Sequence, residues 1–213
     1  MCMHGKLIYR FGTMNSGKSL QLLATAHNFH ERGIPFILLK SSIDTRDGND
    51  VVHSRALGDR ECLSVSPGDN IFNLVKSLEN MTALTNTNSL KWILVDEAQF
   101  LTPEQVDQLA AIVDNFTINV ICYGLRTDFK THLFPGSKRL FEVADCLEEI
   151  KSSCSCNSKT IFNARIDPNG DIVTDGEQIE VGGDDRYTSL CRKCYFKGIE
   201  GHLYNKLKKI DKI

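Results

Sequence analysis

Long apolar runs, an excess of one charge sign and a secretory leader are all missing from this sequence. No segment approaches the about 20 consecutive apolar residues that span a bilayer, and the first residues have neither the basic nor the apolar part of a signal peptide. Lys and Arg number 25 against 27 Asp and Glu, so a broad basic surface for nucleic acid or an acidic membrane is not expected. These absences predict a cytoplasmic protein with no nucleic-acid partner and no membrane partner.

Internal repeats and low-complexity segments are also absent, whereas cysteine is abundant. The chain has 213 residues, 41% of them hydrophobic and 24% charged, which is typical of one large globular domain or one domain with a small appendage. Four of the eight cysteines stand singly: Cys2, Cys62, Cys122 and Cys146. The other four form two close pairs: Cys154 with Cys156, and Cys191 with Cys194. In a reducing compartment such pairs indicate metal ligands rather than disulfides.

The first 150 residues alternate short β-rich apolar runs with segments of helical period, which predicts an α/β fold with a mostly parallel sheet flanked by helices. Strands are predicted at residues 5–11, 35–40, 92–95, 117–124 and 147–151. Helices are predicted at residues 18–33 and 138–145, after a cap at Asp69, and from a cap at Thr102 to about residue 115. Residues 41–58, 81–90 and 125–137 are expected to be loops or connectors. A turn at residues 167–170 predicts a hairpin between residues 161–166 and 171–174.

Residues 12–19, the glycine-rich loop, match the phosphate-loop pattern GxxxxGK[ST] without a mismatch, between a predicted strand and a predicted helix. Main-chain N–H groups of such a loop bind phosphate oxygens, and glycines permit the close approach. Lys18 is expected to bridge the β and γ phosphates of ATP, and the Ser19 hydroxyl to bind Mg²⁺. The alternative is a glycine turn that only caps a helix. The predicted nucleotide-binding residues of this loop are Gly12, Thr13, Met14, Asn15, Ser16, Gly17, Lys18 and Ser19.

Two carboxylates, Asp96 and Glu97, follow the apolar run at residues 92–95. With a phosphate loop upstream, Asp96 is expected to hold Mg²⁺, directly or through water. Glu97 is then free to act as the general base for an attacking hydroxyl or water. A solvated strand end is the alternative for an acidic pair taken alone.

The string Asp-Glu-Ala-Gln at residues 96–99 leaves different classes of function open. It also occurs in nucleic-acid-stimulated ATPases of the helicase kind, but a helicase core generally needs two such domains and this chain has room for one. A small-molecule kinase would need an acceptor pocket beside Glu97. A zinc-stabilised nucleotide-binding scaffold without turnover would leave Glu97 idle.

The two cysteine pairs are separated by 34 residues that include no histidine. Four thiolates in two tight pairs suit a closed, tetrahedral structural Zn²⁺ site, and four buried thiols are the alternative. The predicted metal ligands are Cys154, Cys156, Cys191 and Cys194. The chain is thus predicted to comprise a P-loop, RecA-like α/β domain at residues 1–151, a zinc-ribbon-like lobe at 152–196 and a tail at 197–213.

Five segments, in this order along the chain, resemble those of type II thymidine kinases. They lie at residues 12–19, 44–46, 96–100, 123–129 and 181–195, and the resemblance covers residues 5–196. The family usually has Cys-x-x-Cys as its first zinc pair, whereas residue 153 is Ser here and the spacing is Cys-x-Cys. The resemblance implies transfer of the ATP γ-phosphoryl group to the 5'-hydroxyl of thymidine, with Glu97 accepting the hydroxyl proton.

The same resemblance implies roles for residues outside the glycine-rich loop. Arg46 would steady the transferring phosphoryl group with Asp44 nearby, although a surface ion pair is the alternative for them. Asn163 stands where the family often has a small hydroxyl residue near the thymine methyl. Tyr187 would hydrogen-bond the nucleoside. Aromatic and soft side chains would surround the thymine ring: Met14, Phe100, Leu125, Phe129 and Phe134.

A lasso before the second cysteine pair would close over the base and read its polar edge with main-chain groups. Two adjacent glycines in it allow such close approach. The lasso comprises residues 181–187. The residues assigned to the substrate site in and just before it are Ile179, Glu180, Val181, Gly182 and Gly183. Because type II thymidine kinases are commonly homotetramers that dTTP inhibits, the resemblance implies both properties for this chain.

Overall fold

A six-stranded parallel sheet runs through the computed structural model, which describes residues 5–44, 50–54, 56–85, 89–178 and 186–200. Its strands, numbered along the chain, are β1 (Leu7–Gly12), β2 (Phe36–Ser41), β5 (Leu63–Val65), β6 (Trp92–Asp96), β7 (Asn119–Leu125) and β8 (Cys146–Ile150). Their order across the sheet is β5-β2-β6-β7-β1-β8, and every neighbouring pair is parallel. The α/β fold class predicted from the apolar runs is therefore confirmed.

Four α-helices and one 3₁₀ helix connect these strands. They are α1 (Lys18–Glu31), α2 (Ile71–Thr85), the 3₁₀ helix Ala98–Phe100, α3 (Pro103–Phe116) and α4 (Pro135–Val143). The predicted cap of α3 is confirmed: the Gln105 N–H donates to Thr102 Oγ1 at 3.2 Å, and the Thr102 N–H donates back to Gln105 Oε1 at 3.2 Å. The cap predicted for α2 was wrong by one residue. Asn70 Oδ1 accepts from the Asn73 N–H at 2.8 Å, while Asp69 accepts from the Ser66 N–H instead.

Both faces of the sheet are buried, which explains why its strands are continuous apolar runs. Successive residues of a strand point to opposite faces. In β6, Ile93 and Val95 therefore pack into a cluster with residues of α2, α3 and α4, while Leu94 packs into a second cluster with residues of α1. The two clusters contain 19 and 10 buried residues. They fix the carboxyl ends of β1, β2, β6 and β7 along one edge of the sheet.

Three loop predictions were partly wrong. Residues 41–58 contain strand β3 (Val51–Ser54), which pairs antiparallel with β4 (Gly58–Glu61). This ribbon forms because Val52, at 1% exposure, packs against residues of α1 in the second cluster, while its neighbours in the strand are more exposed. Helix α2 extends into the expected connector at 81–90. Helix α4 begins at Pro135 rather than at residue 138, since proline suits a first helical position.

The chain beyond the sheet forms a smaller region around the paired cysteines. We call residues 5–150 the sheet region, and residues 152–178 and 186–200 the cysteine region, in both cases where described. In the cysteine region β9 (Phe162–Arg165) pairs antiparallel with β10 (Tyr187–Leu190), and residues 192–200 are helical. The turn at 167–170 is present, with one bridge between Ile166 and Ile172. The expected hairpin is confirmed only beside the turn, where the Val173 N–H also donates to the Arg165 carbonyl at 2.8 Å, while the ladder of β9 is formed with β10.

Candidate nucleotide and acceptor site

The glycine-rich loop joins the carboxyl end of β1 to the first turn of α1. Asn15 and Gly17 have left-handed φ values of 57° and 86°, which curl the main chain around the start of the helix. A Cβ at Gly12 would lie 2.5 Å from Ser16 Oγ and 2.8 Å from the Ile150 carbonyl oxygen. Only glycine therefore fits at position 12 without displacing β8 or the loop.

Lys18 and Ser19 open α1 beside the acidic pair. The ammonium group of Lys18 donates to the Thr13 carbonyl at 2.8 Å, and the residue is only 8% exposed. The Ser19 hydroxyl lies 3.3 Å from Asp96 Oδ2. Two oxygens suited to a hard cation are thus adjacent at the start of a helix whose N-terminus favours anions.

The acidic pair lies at the carboxyl end of β6. Asp96 ends the strand, and Glu97 turns away from it with a left-handed φ of 50°. The Glu97 N–H donates to Asp96 Oδ1 at 3.0 Å. Burial, followed by the negative charge of Glu97, raises the pKa of Asp96 well above its usual range, while the hydrogen bond from the Glu97 N–H, Lys18 and Lys40 oppose the shift. A divalent cation beside Asp96 would favour its ionised form.

Gln99, which the sequence analysis did not single out, holds the Glu97 carboxylate. Its side-chain amide donates to Glu97 Oε2, and its Oε1 accepts from the Leu125 N–H at 2.9 Å. Gln99 is 1% exposed, and a Cβ at Gly124 would come 2.8 Å from its Oε1. The amide therefore fixes Glu97 relative to the end of β7. The sequence signal for this role is the position of Gln99 two residues after Glu97, in the same Asp-Glu-Ala-Gln motif.

A second buried lysine, which the sequence analysis did not identify, lies near the end of β2. Lys40 precedes the last residue of this strand and is 1% exposed. Its ammonium group is 3.5 Å from Asp44 Oδ2 and donates to the Val51 carbonyl at 3.2 Å. It thereby ties the predicted phosphate-contacting residue Asp44 to β3. Arg46, the other residue predicted there, lies outside the described residues.

The glycine-rich loop, the acidic pair and Asp44 line a cavity of about 500 Å³, within the range of small-ligand sites. His53 and Ser54 reach it from β3, the strand that the sequence analysis assigned to a loop. Its lining residues are Met14, Asn15, Gly17, Lys18, Ser19, Leu20, Asp44, His53, Ser54, Ala56, Asp96, Glu97 and Leu125.

Only some of the residues expected to contact thymidine line this cavity. Met14 and Leu125 line the cavity with Lys18 and Glu97, whereas Phe100, Phe129, Phe134, Asn163 and Tyr187 do not. The rings of Phe100 and Phe134 meet edge to face at 5.6 Å.

Phe129 lies beneath the Arg165 guanidinium, 3.8 Å from its ring centroid, and Arg165 Nε donates to the Tyr187 hydroxyl at 2.8 Å. The predicted substrate-site residues Ile179, Glu180, Val181, Gly182 and Gly183 lie outside the described residues.

The four paired cysteines converge although the first pair has the shorter spacing. Their sulfur atoms all lie within 4.8 Å of one another, and the Sγ atoms of Cys156 and Cys191 are 3.5 Å apart. Tetrahedral coordination with Zn–S distances of about 2.3 Å places sulfur atoms about 3.8 Å apart. The donor set of four thiols therefore fits a structural Zn²⁺ ion.

The parallel α/β fold, the glycine-rich loop, the acidic pair after β6 and the four-cysteine cluster together define an α/β protein with a candidate phosphate-binding site and a candidate metal site. Among the described residues, no helix has the length and apolar character needed to cross a membrane. The sequence model described as "Thymidine kinase" matches residues 5–195, and the chain belongs to the thymidine kinase family.

Relatives named thymidine kinase are similar over nearly their whole length. The protein of Mannheimia succiniciproducens is 44% identical over 201 residues, covering 94% of this chain and 99% of the relative. That of Rhodopirellula baltica is 41% identical over 206 residues, covering 97% and 95%. That of Legionella pneumophila is 40% identical over 207 residues, covering 97% of each.

Proposed function

We propose that this chain transfers the γ-phosphoryl group of ATP to the 5'-hydroxyl of thymidine, giving dTMP and ADP. The observation that carries the proposal is one cavity that contains the Glu97 carboxylate, the Lys18 ammonium group and the Ser19–Asp96 pair beside apolar Met14 and Leu125. Membership of the thymidine kinase family supports the choice of acceptor.

Glu97 is the general base of the proposed reaction. It is 8% exposed, and the hydrogen bond from Gln99 restricts its carboxylate to one orientation. A fixed base removes the acceptor proton without first losing the entropy of a mobile side chain. Glu97 and Gln99 thus form a unit that faces the 5'-hydroxyl.

The glycine-rich loop holds the donor. Its main-chain N–H groups bind phosphate oxygens, and Lys18 exchanges its bond to the Thr13 carbonyl for the β and γ phosphates. Ser19 and Asp96 would hold Mg²⁺, which neutralises phosphate charge when bound. Arg46 steadies the transferring group, with Asp44, held by Lys40, nearby.

The acceptor side is completed by the cysteine region. Met14 and Leu125 contact the nucleoside from within the cavity, and Phe100, Phe129, Phe134 and Tyr187 extend the site. The lasso at residues 181–187 closes over the base. Zn²⁺ at the four cysteines anchors the segments on either side of the lasso, in keeping with the clustering of their sulfur atoms.

We further propose a cytoplasmic homotetramer that dTTP inhibits, in line with the family resemblance of the five motifs. The alternative of a nucleic-acid-stimulated ATPase is not favoured, because the chain belongs to the thymidine kinase family and its charge is nearly balanced.

The decisive experiment compares the wild type with Glu97→Gln in the presence of ATP, Mg²⁺ and thymidine. Loss of a general base is expected to lower kcat for dTMP formation by about 10²- to 10⁴-fold. The matched control is Glu104→Gln, which removes an exposed carboxylate in the first turn of α3 and should leave kcat unchanged. ATP turnover that rises with an oligonucleotide and ignores thymidine would contradict the proposal.

A further inference from the structure

We propose that Asn163 and Ser189 are positioning residues for ATP: their side chains clamp the glycine-rich loop and make donor binding depend on the cysteine region. This inference rests on the proposed function. It also replaces the contact with the thymine methyl that the family resemblance implied for Asn163.

Both main-chain groups of one loop residue are bound by this pair. The Met14 N–H donates to Asn163 Oδ1 at 2.7 Å, and the Ser189 hydroxyl donates to the Met14 carbonyl at 2.7 Å. Asn163 and Ser189 are directly opposite each other in the β9–β10 ladder, so their side chains project from the same face. A single cross-strand pair thus holds Met14 at two points.

The orientation of the Asn163 amide is fixed from its other end. Its Nδ2 donates to the Thr127 carbonyl at 3.1 Å, and the residue is 3% exposed. Asn163 therefore connects β9, the glycine-rich loop and the segment after β7. An aspartate could not donate to Thr127, and an alanine would leave the Met14 N–H and the Thr127 carbonyl without these partners.

The neighbouring loop residue is held by the cysteine region as well. Thr13 Oγ1 lies 2.9 Å from Ser152 Oγ and 3.0 Å from Thr160 Oγ1. Ser152 and Thr160 flank the first cysteine pair, and the Thr160 N–H donates to the Ser152 carbonyl at 2.9 Å. Residues 13 and 14 therefore take their position from the segments that surround the cysteine cluster.

The clamp acts on the phosphate-binding geometry through the main chain of the loop. Asn15 follows Met14 directly in a left-handed conformation, so the position of Met14 sets the course of the loop toward the start of α1. A loop released at residues 13 and 14 would sample other conformations, and ATP binding would have to restore the correct one. The free energy of ordering the loop would then be subtracted from the binding free energy of ATP, so ATP would bind more weakly.

The test measures ATP binding without turnover, for instance with a fluorescent ATP analogue and Mg²⁺, in Asn163→Ala, Ser189→Ala and the wild type. We expect about tenfold weaker binding in Asn163→Ala and a smaller loss in Ser189→Ala, because each variant removes a hydrogen bond to the loop. Thr188→Ala is the matched control, since Thr188 is exposed in the same strand and should bind ATP as the wild type does.

If Asn163→Ala binds ATP as tightly as the wild type does, the inference is overturned. If only the KM for thymidine rises, Asn163 contacts the thymine base instead. If Asn163→Ala does not fold, Ser189→Ala and its control decide in the same way. The outcome is separate from the proposed function: a wild type that binds ATP but makes no dTMP refutes the kinase proposal and leaves the clamp testable.

Discussion

The sheet region and the cysteine region are stabilised by different means. Among the described residues, the sheet region buries clusters of 19 and 10 residues on its two faces. The apolar cluster of the cysteine region has three buried members: Ala164, Ile172 and Tyr195. So small a core rarely stabilises a fold alone, and metal ligation commonly provides the difference. The comparison teaches that the sheet region can fold by apolar burial, whereas the cysteine region needs its cysteines and its contacts to the sheet region.

Those contacts converge on residues proposed to bind substrates. Tyr195 donates its hydroxyl proton to the Phe129 carbonyl at 2.6 Å, and Arg165 covers the Phe129 ring. Asn163 and Ser189 bind the glycine-rich loop. The cysteine region, which has the smaller apolar core, therefore holds those segments of the sheet region that belong to the proposed site.

Removal of the proposed Zn²⁺ ion should give the largest effect. Structural zinc contributes on the order of 10 kcal/mol to the folding of small domains. Chelation, followed by restoration of Mg²⁺, is expected to abolish dTMP formation and the hydrogen-exchange protection of β9 and β10, while β6 stays protected. Cys191→Ser should reproduce this loss, and Cys146→Ser, which changes an isolated cysteine, should not. Simultaneous loss of protection in β6 would contradict the independence of the sheet region.

Ile93→Ala should lower the stability of the sheet region by about 3 kcal/mol, because it leaves a cavity at a fully buried position of a central strand. Denaturant unfolding of the zinc-loaded protein measures the change. Leu147→Ala, at 48% exposure on the edge strand β8, is the control and should change stability by less than about 0.5 kcal/mol. Equal losses in the two variants would show that burial in the two clusters does not stabilise this region.

Much of the sheet region could be predicted from the sequence because its signals are local. An apolar run of four residues at 92–95 predicts a buried strand, and Thr102 followed by Pro103 predicts the start of α3. The glycine-rich loop could be placed because its pattern requires a strand before it and a helix after it. The convergence of the four cysteines was also predictable, since two close pairs have few other uses in a reducing compartment.

The remaining features depend on contacts between distant segments. The turn at 167–170 is a correct local signal, but it could not indicate that β9 would pair with a strand more than 20 residues away. Val52 is a strand residue only because α1 covers it. The contacts of Gln99 with Glu97 and of Lys40 with Asp44 follow from the fold, and the sequence alone does not establish them.

Tyr195→Phe probes the link between the two regions. It should destabilise the cysteine region by about 1–3 kcal/mol, because the buried Phe129 carbonyl loses its hydroxyl donor while the packing of the ring is kept. Hydrogen exchange should rise in β9 and β10 and stay unchanged in β6. The control is Phe196→Leu, which alters a neighbouring ring at 44% exposure without touching that hydrogen bond. An increase in β6 of the same size would mean that the link supports both regions equally.

Thr102→Ala should cost the sheet region about 1 kcal/mol, because the Gln105 N–H loses its capping acceptor. Thermal unfolding of the zinc-loaded protein gives the size of the effect, and hydrogen exchange gives its location in α3. Exchange in β9 and β10 should not change. A cap mutation that loosened the cysteine region first would contradict the division of stability between the regions.

The smallest effect, and of opposite sign, is expected at the other end of the same helix. Thr117 is exposed at the C-cap of α3 with a left-handed φ of 56°, a conformation that costs a β-branched residue more than it costs glycine. Thr117→Gly should therefore stabilise the sheet region by about 0.5 kcal/mol, since relief of this strain is partly offset by the greater freedom of glycine in the unfolded chain. The gain should add to the loss in Thr102→Ala when both are combined, because the two positions lie at opposite ends of a 14-residue helix. A destabilising Thr117→Gly would mean that the threonine side chain contributes more to this region than its strained main chain costs.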